Sequence, residues 1–342
     1  GTIVVSDGYT LAIDSGVVVQ FQSNQGMVIR GSLDAYKCTF TSAAGVPASG
    51  DWNEIQIGSP GDGGTADFFG CLIAYGGRST ISDSYGMVVI EEGTATFEDN
   101  CELTQSNNAG LVTGINGTVH LYNTIISASS RPLTYTGPGS VIFHEGNSLT
   151  GNEENIIFLN FTENTNTLVL DTADIPYEFA GDYTIGSGGT LQIDSGNVIL
   201  LKTHLRIRGG TLNAYYSRFT SDQSPRVPGD WDEIEVGYAG DGGAANFRGC
   251  IIEYGGRSSI SDYYGMVVVT SGTANFYDEC LIRRSNNVGL EVTSGANANL
   301  TNTTITENSW PVAYTGAGSL VFNQTNDLTG NTHDGTYILF SS

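Results

Sequence analysis

The chain contains two copies of the same sequence. Residues 50–111 and 229–290 align at a shift of 179 positions, and about 39 of the 62 aligned residues are identical. Self-similarity at a fixed period is typical of repeat architectures. We therefore predict two tandem copies of a module of about 179 residues, at 1–179 and 180–342, in one continuous rod.

A shorter period lies inside each module. Apolar runs of two to five residues recur three at a time, separated by Gly, Asn, Asp and Ser, and equivalent positions lie about 23 to 35 residues apart. Such runs are typical of short strands joined by turns, and no segment shows the 3.6-residue period of a helix. This rhythm predicts an all-β fold, a right-handed parallel β-helix of roughly 13 coils stacked about 4.8 Å apart. An antiparallel β-sandwich pair or a propeller is the alternative, but propeller blades need four strands per unit.

Three segments of the first module resemble a known superfamily. They are TLAIDSGVVVQF (10–21), GSLDAYKCTFTS (31–42) and GDWNEIQIG (50–58). They resemble the secreted, pectate-lyase-like right-handed β-helix proteins of bacterial and archaeal cell surfaces. The resemblance implies the fold and an extracellular location. It leaves open whether the chain is a polysaccharide lyase, a glycan-binding module, an adhesin or a surface polymer such as an archaeal sheath.

Composition excludes two classes of function. The chain has 13 basic and 36 acidic residues among 342, so its formal net charge is −23. A chain this acidic is a poor ligand for nucleic acid. No apolar run approaches 18 residues, so we expect no membrane span.

Two features of the sequence bear on whether the protein is secreted, namely its N-terminus and its glycosylation motifs. Gly1 is not an initiator methionine and no basic-then-apolar leader follows it, so a leader was removed or the sequence begins after it. Five Asn-x-Ser/Thr motifs are candidate glycosylation sites. They are Asn116, Asn160, Asn299, Asn302 and Asn323.

Four of the five cysteines match between the modules. Positions stacked in neighbouring coils lie about 4.8 Å apart, within the range that a disulfide tolerates. We therefore predict the disulfides Cys71–Cys101 and Cys250–Cys280. The alternative is an inward ladder of free thiols, since cysteine packs well in cores.

The fifth cysteine, Cys38, has no counterpart, because Ser217 occupies the matching position. An unpaired cysteine in a secreted chain predicts either a free thiol or a disulfide to another chain. Cys38 is therefore the candidate for an intermolecular bond.

Charged and aromatic residues that occur in both modules are the candidates for a site. A lyase needs a base, and Arg78 and Arg257 in the YGGRS motifs are the candidates for that role. Asp62 and Asp241 in the GDGG loops are candidate Ca²⁺ ligands, and calcium is the only cofactor that the sequence suggests. Further repeated residues are Glu54 with Glu233 and Asp83 with Asp262. The aromatic residues Tyr75, Tyr85, Tyr254, Tyr263 and Tyr264 are a candidate sugar-stacking strip, with packing in the core or in a surface ladder as the alternative.

We nevertheless expect no catalysis. A lyase that acts on acidic polysaccharide needs a basic groove, which this acidic chain does not offer. The four histidines have no repeated partner, and aspartate in GDGG most often forms a turn. Two modules that retain the same polar motifs are typical of a protein whose halves present equivalent surfaces.

The two ends of the sequence resemble interior coils. Residues 1–14 align with 180–194, and 337–342 follow a segment that matches 156–159. We therefore predict that the chain assembles with copies of itself, end to end or laterally, into a sheath, fibre or surface layer. The alternatives are a fragment of a longer adhesin, and a monomer that binds or cleaves carbohydrate.

Overall fold

The computed structural model describes residues 1–238, 240–259, 264–293 and 295–338. Within these ranges the chain forms β-strands, turns and loops, and no helix there is long and apolar enough to cross a membrane. The chain separates into two compact units. Unit 1 comprises Gly1–Phe161 and Ala173–Pro176, and unit 2 comprises Thr162–Thr172 and Tyr177–Ser342.

Unit 1 contains sixteen strands. They are β1 (Ile3–Val5), β2 (Thr10–Ile13), β3 (Val18–Phe21), β4 (Met27–Ile29), β5 (Ser32–Tyr36), β6 (Thr39–Ser42), β7 (Ile55–Ile57), β8 (Thr65–Phe69), β9 (Leu72–Ala74), β10 (Gly86–Glu98), β11 (Glu102–Thr104), β12 (Ala109–Leu121), β13 (Ile125–Ser127), β14 (Arg131–Tyr135), β15 (Ser140–Phe143) and β16 (Ile157–Leu159).

These strands form three parallel sheets. The first runs β1-β4-β7-β10-β12-β14-β16, the second β2-β5-β8-β10-β12-β15 and the third β3-β6-β9-β11-β13. Strands β10 and β12 are long enough to belong to both the first and the second sheet, and their register shifts between Ile90 and Glu92.

Unit 2 contains the other twenty-one strands within the described residues. They are β17 (Glu163–Asn164), β18 (Thr167–Leu170), β19 (Tyr177–Phe179), β20 (Tyr183–Ile185), β21 (Thr190–Ile193), β22 (Val198–Leu201), β23 (Leu205–Ile207), β24 (Thr211–Tyr215), β25 (Arg218–Ser221), β26 (Ile234–Val236), β27 (Ala244–Arg248), β28 (Ile251–Glu253), β29 (Gly265–Val269), β30 (Thr273–Tyr277), β31 (Leu281–Arg283), β32 (Val288–Val292), β33 (Asn297–Thr301), β34 (Thr304–Thr306), β35 (Trp310–Tyr314), β36 (Ser319–Asn323) and β37 (Thr336–Ile338).

Unit 2 repeats the three-sheet arrangement. Its first sheet is β17-β20-β23-β26-β29-β32-β35-β37 and its second is β18-β21-β24-β27-β30-β33-β36. The third is β19-β22-β25-β28-β31-β34. The described strands pair in parallel, each with a strand of the next coil, so the predicted parallel β-helix is confirmed and the antiparallel sandwich is wrong.

The core consists of side chains that alternate inward along the short strands. In unit 1 the stacked rings of Phe68 and Phe97 have centroids 4.8 Å apart, and in unit 2 Phe247 and Phe276 repeat this contact at 5.1 Å. All four rings are fully buried. Burial of stacked apolar rows between successive coils is what stabilises a fold whose single coils cannot bury a core alone.

The border between the units falls earlier than the border between the sequence modules. The alignment places the border at 179/180, whereas residues 162–172 already belong to unit 2. Strands β17 and β18 explain the difference, because they pair with β20 and β21 of unit 2.

Candidate functional site

The second sheet of unit 1 presents columns of side chains to solvent. Parallel register stacks Asp34 on Asp67 and Tyr36 on Phe69, and it aligns Phe69 with Glu98 of the next coil. We call Asp34, Tyr36, Asp67, Phe69 and Glu98 the acid–aromatic face. Residues 33 or so positions apart in sequence therefore lie side by side.

The aromatic rings of this face are held in place at the surface. Tyr36 is 48% exposed, and its ring stacks on Phe69 with centroids 5.2 Å apart and an interplanar angle of 16°. The Nζ atom of Lys37 lies 5.4 Å and 5.5 Å from the two centroids and 3.4 Å from Oδ2 of Asp99. Stacking and cation–π contact together orient the rings.

Two shallow grooves adjoin the rings. One, of about 300 Å³, is lined by Tyr36, Phe69 and the carboxylates of Asp14, Asp34 and Asp67, among others. The second, of about 340 Å³, shares Asp67 and Phe69 and extends to Thr96 and Glu98. The grooves thus combine apolar ring surface with carboxylate oxygens that accept hydrogen bonds.

Unit 2 carries a different column at the matching positions. There Asn213, Asn246, Asn275 and Asn299 form a ladder in which each amide after Asn213 donates to the side-chain oxygen of the preceding asparagine at 2.8–2.9 Å.

An amide both donates and accepts, so such a ladder satisfies itself, whereas stacked carboxylates only accept. Like charges on neighbouring strands destabilise a sheet. The acidic column formed by Asp34 and Asp67 is therefore a feature that the fold itself does not require.

The arginines predicted as lyase bases are bound to carboxylates. Arg78 donates from Nε and Nη2 to Glu54 at 2.5 Å and 2.6 Å, and Arg257 does the same to Glu233 at 2.7 Å and 2.5 Å. The hydrogen bonds to these glutamates raise the pKa of both guanidinium groups. A base must be able to lose its proton, so this geometry disfavours the lyase role.

The described tyrosines of the predicted sugar-stacking strip lie next to strand ends within their own units. Tyr75 and Tyr254 directly follow β9 and β28 in the third sheets and adopt left-handed φ angles of 68° and 65°. The hydroxyl of Tyr254 accepts a hydrogen bond from Arg284. The guanidinium carbon of Arg78 lies 4.5 Å from the ring centroid of Tyr85. The guanidinium carbon of Arg257 lies 5.0 Å from the ring centroid of Tyr264. Asp262 and Tyr263 lie outside the described residues.

The polar residues that both modules share form a structural corner. The indole N–H of buried Trp52 donates to the backbone carbonyl of Ala74 at 2.9 Å. In the same way, the indole N–H of Trp231 donates to the backbone carbonyl of Glu253 at 3.0 Å. The amide of Asn108 donates to the carbonyls of Gly77 and Thr80.

Unit 2 repeats the amide contacts through Asn287, which donates to the carbonyls of Gly256 and Ser259. The YGGRS, GDW and SNN motifs are therefore used to close one corner of the coil.

The predicted calcium ligands belong to turns. The backbone of Asp62 exchanges hydrogen bonds with Ser59, and its Oδ2 lies 3.7 Å from Nε of Arg30. Asp241 accepts a hydrogen bond from the backbone N–H of Tyr238 at 2.6 Å. Within the described part of the chain, no three His, Cys, Asp or Glu side chains are grouped so that they hold a metal. These contacts favour the turn role of the GDGG loops.

All five cysteines are free and buried, so the predicted Cys71–Cys101 and Cys250–Cys280 disulfides are absent from the structure. The predicted stacking is present: Sγ of Cys38 lies 3.5 Å from Sγ of Cys71. Cys38 is thus buried inside the ladder, a position unsuited to a bond with another chain.

The other four thiols lie within hydrogen-bond distance of backbone carbonyls, which they can donate to without pairing. Sγ of Cys250 lies 3.3 Å from the carbonyl oxygen of Ala214. Ser217, which matches Cys38, donates its hydroxyl to the carbonyls of Asp194 and Tyr215 at 2.9 Å and 2.8 Å. Burial raises the pKa of Cys250 to about 12, so it stays a thiol. The column is therefore a row of small buried donors.

This role makes a prediction about substitution. Cys250→Ser, which keeps a donor, is expected to change the free energy of unfolding by less than about 1 kcal/mol. Cys250→Val, which removes the donor, is expected to cost about 1–2 kcal/mol, measured by urea denaturation. Alkylation in denaturant without reductant should label five thiols, and a count of three or fewer would show that disulfides form.

Unit 2 contains a buried charged group that sequence reasoning missed. Glu291 is 8% exposed and accepts hydrogen bonds from the Gly265 N–H at 3.3 Å and the Thr315 hydroxyl at 3.4 Å. Burial raises the pKa of Glu291 to about 7. Val112 occupies the matching position of unit 1. The change from an apolar residue in one module to an acidic residue in the other is the sequence difference that could have pointed to this buried group.

Glu235 belongs to the same sheet and replaces Gln56 of unit 1. Burial raises its pKa, and its Oε2 lies 3.5 Å from Arg206 and 3.7 Å from Arg208. His204, which has no repeated partner in the sequence, places its Nδ1 3.1 Å from Oδ1 of Asp182. The carboxylate of Glu235 thus lies beside two arginines, and that of Glu291 accepts from a backbone N–H and a hydroxyl.

The five glycosylation motifs differ in exposure. Asn116, Asn302 and Asn323 are exposed, whereas Asn160 is half-buried and Asn299 donates its amide within the ladder of unit 2. Attachment of a glycan requires an accessible asparagine, so the exposed three are the better candidates.

Comparison with known proteins identifies no family. No protein-family profile matches the chain, and no curated protein matches it either. Two chains of solved structures match. One of them is a fragment of TibA, in a crystal structure of the fragment after hyper-glycosylation by TibC. The identity is 13%, the alignment covers 94% of this chain and 95% of that one, and the TM-score is 0.21. A similarity this low carries no argument about function.

Proposed function

We propose that this chain is a non-enzymatic protein of the cell exterior that binds carbohydrate through the acid–aromatic face of unit 1. The observation that carries the proposal is the pair of grooves that combine the Tyr36 and Phe69 rings with carboxylates. Aromatic rings pack against the C–H face of a sugar, and carboxylates accept hydrogen bonds from its hydroxyls. The extracellular location rests on the resemblance of the coil motifs to secreted β-helix proteins.

The charge of the grooves selects the class of glycan. Asp14, Asp34 and Asp67 line the first groove and Glu98 lines the second, with a net charge of −23 on the whole chain. These carboxylates repel uronates and sulfated sugars. Neutral sugars and amino sugars are therefore the expected ligands.

The hydrogen bonds of the residues that occur in both modules support the proposed absence of catalysis. Arg78 and Arg257 are held by glutamates, and Trp52 and Asn108 close the coil corner. Residues that are engaged in this way contribute to folding and are not available to transfer protons.

The test compares two tyrosines at equivalent positions. Neutral and amino-sugar oligosaccharides, represented by cello- and chito-oligosaccharides, are titrated calorimetrically into the chain. Tyr36→Ala is expected to weaken binding about tenfold or more. Tyr215→Ala, its match in unit 2, should leave the affinity unchanged. No binding of either series, or equal losses in both variants, would contradict the proposal.

Self-assembly into a sheath or layer is the second candidate function. The contacts made by the chain's two lysines, Lys37 and Lys202, favour it. Free edge lysines protect sheets from association. Lys37 lies over the Tyr36 and Phe69 rings, and Lys202 donates to Glu178 at 2.6 Å. Neither lysine is therefore free to guard an edge. Light scattering and negative-stain microscopy across salt concentrations test this candidate, and a monodisperse monomer throughout would argue against it.

A further inference from the structure

Two histidines meet on the solvent side of unit 1. His120 lies on β12 in the column above Thr96, and His144 directly follows β15. Nδ1 of His120 lies 3.4 Å from Nε2 of His144, and the two rings are nearly parallel, at 17°. Residues 24 positions apart thus place two imidazole nitrogens face to face.

The separation of these nitrogens suits one metal ion. Imidazole nitrogens bind Zn²⁺ at about 2.0–2.1 Å, so two of them at a tetrahedral angle lie roughly 3.4 Å apart. Neutral imidazole is also a preferred ligand of Cu²⁺ and Ni²⁺. A bound ion would take the place of the hydrogen bond between the two nitrogens, and both rings would turn so that their lone pairs point to the ion.

The surroundings hold His144 in place. Its ring stacks on Tyr122 with centroids 3.7 Å apart and an interplanar angle of 4°. Its backbone N–H donates to Leu121 at 2.9 Å, and its carbonyl accepts from Asn147 at 2.6 Å. Ligands that are oriented before binding lose little entropy when the metal arrives.

Unit 2 shows that the fold does not require these imidazoles. At a shift of 179, His120 matches Asn299 and His144 matches Asn323. In unit 2 Asn299 donates to Asn275 as part of the amide ladder. Both members of the histidine pair are therefore specific to unit 1.

We propose that His120 and His144 form a two-ligand site for a divalent transition-metal ion of the Zn²⁺ and Cu²⁺ class. Water, or a donor from another molecule, completes the coordination. The formal net charge of −23 favours the approach of a cation. The proposal does not rest on the carbohydrate site, although His120 pairs in register with Thr96 of the second groove.

The experiment uses the untagged chain. Cu²⁺ is titrated calorimetrically, and electron paramagnetic resonance counts the nitrogens bound to it; Zn²⁺ then competes for the same site. We expect one high-affinity equivalent with two imidazole nitrogens. His120→Asn and His144→Asn, which introduce the residues found in unit 2, should each weaken binding about tenfold or more.

His204→Asn serves as the control and should leave the first equivalent unchanged, since His204 lies in unit 2 beside Asp182. The two test substitutions introduce, at half-buried positions of unit 1, the residue that unit 2 has there, and circular dichroism tests that the variants fold. Unchanged Cu²⁺ affinity in both test variants, or loss of the site in His204→Asn, would overturn the proposal.

Discussion

Replacing Trp52 with alanine is expected to lower the free energy of unfolding of unit 1 by about 4 kcal/mol. The indole is fully buried, its ring centroid lies 4.6 Å from that of Phe21, and its N–H donates to the Ala74 carbonyl. A Cβ atom on Gly76 would lie 2.7 Å from the indole, so the corner is closely packed around it. Truncation would therefore leave a cavity and an unpaired carbonyl.

Urea denaturation measures this loss. Trp231→Ala removes the matching indole of unit 2, which is equally buried, and should cost a similar amount. Tyr9→Ala, at a side chain that is 71% exposed, is the control and should change stability by less than about 0.5 kcal/mol. A loss below about 1 kcal/mol in both tryptophan variants would show that this corner does not stabilise the coil.

Glu291→Gln is expected to stabilise the protein by about 3 kcal/mol at pH 8 and to have little effect at pH 4. Burial raises the pKa of Glu291 from 4.5 to about 7 in the folded chain. The folded state therefore binds this proton more tightly than the unfolded state does. Below pH 4.5 the group is protonated in both states. Between pH 4.5 and 7 the unfolded state loses the proton while the folded state keeps it, so the stability of the fold decreases, and above pH 7 the cost stays constant. Glutamine removes this cost because it remains neutral.

The measurement is the urea midpoint of wild type and variant at several pH values between 4 and 8. Glu279→Gln is the control, because its side chain is exposed in the same unit. The difference between Glu291→Gln and wild type should grow across the window from pH 4.5 to 7. An equal difference at pH 4 and pH 8 would contradict the assigned pKa.

Local sequence was sufficient for the coil but not for side-chain direction. The apolar triplets, such as Ile55–Ile57, and the glycines between them predict the three strands that the structure shows. The spacing also placed the cysteines of each unit in neighbouring coils at equivalent positions, yet it predicted disulfides. Whether Sγ points to the next thiol or to a carbonyl depends on the backbone turn, which spacing does not encode.

The candidate sites depend on register. Asp34 and Asp67 become neighbours because β5 pairs with β8, and His120 meets His144 because β12 pairs with β15. In sequence these residues lie scattered in different repeats, and the motifs that attracted attention, YGGRS and GDGG, are structural.

The duplication, the parallel β-helix and the acidic character are determined by the sequence itself, since short apolar strands and turn residues act locally and repeat. Which side chains act together was decided only by the tertiary structure. Parallel stacking brings residues about one coil apart in the chain to within hydrogen-bond distance. The two units differ in the side chains that they present, because the same register stacks amides in one and carboxylates, aromatic rings and imidazoles in the other.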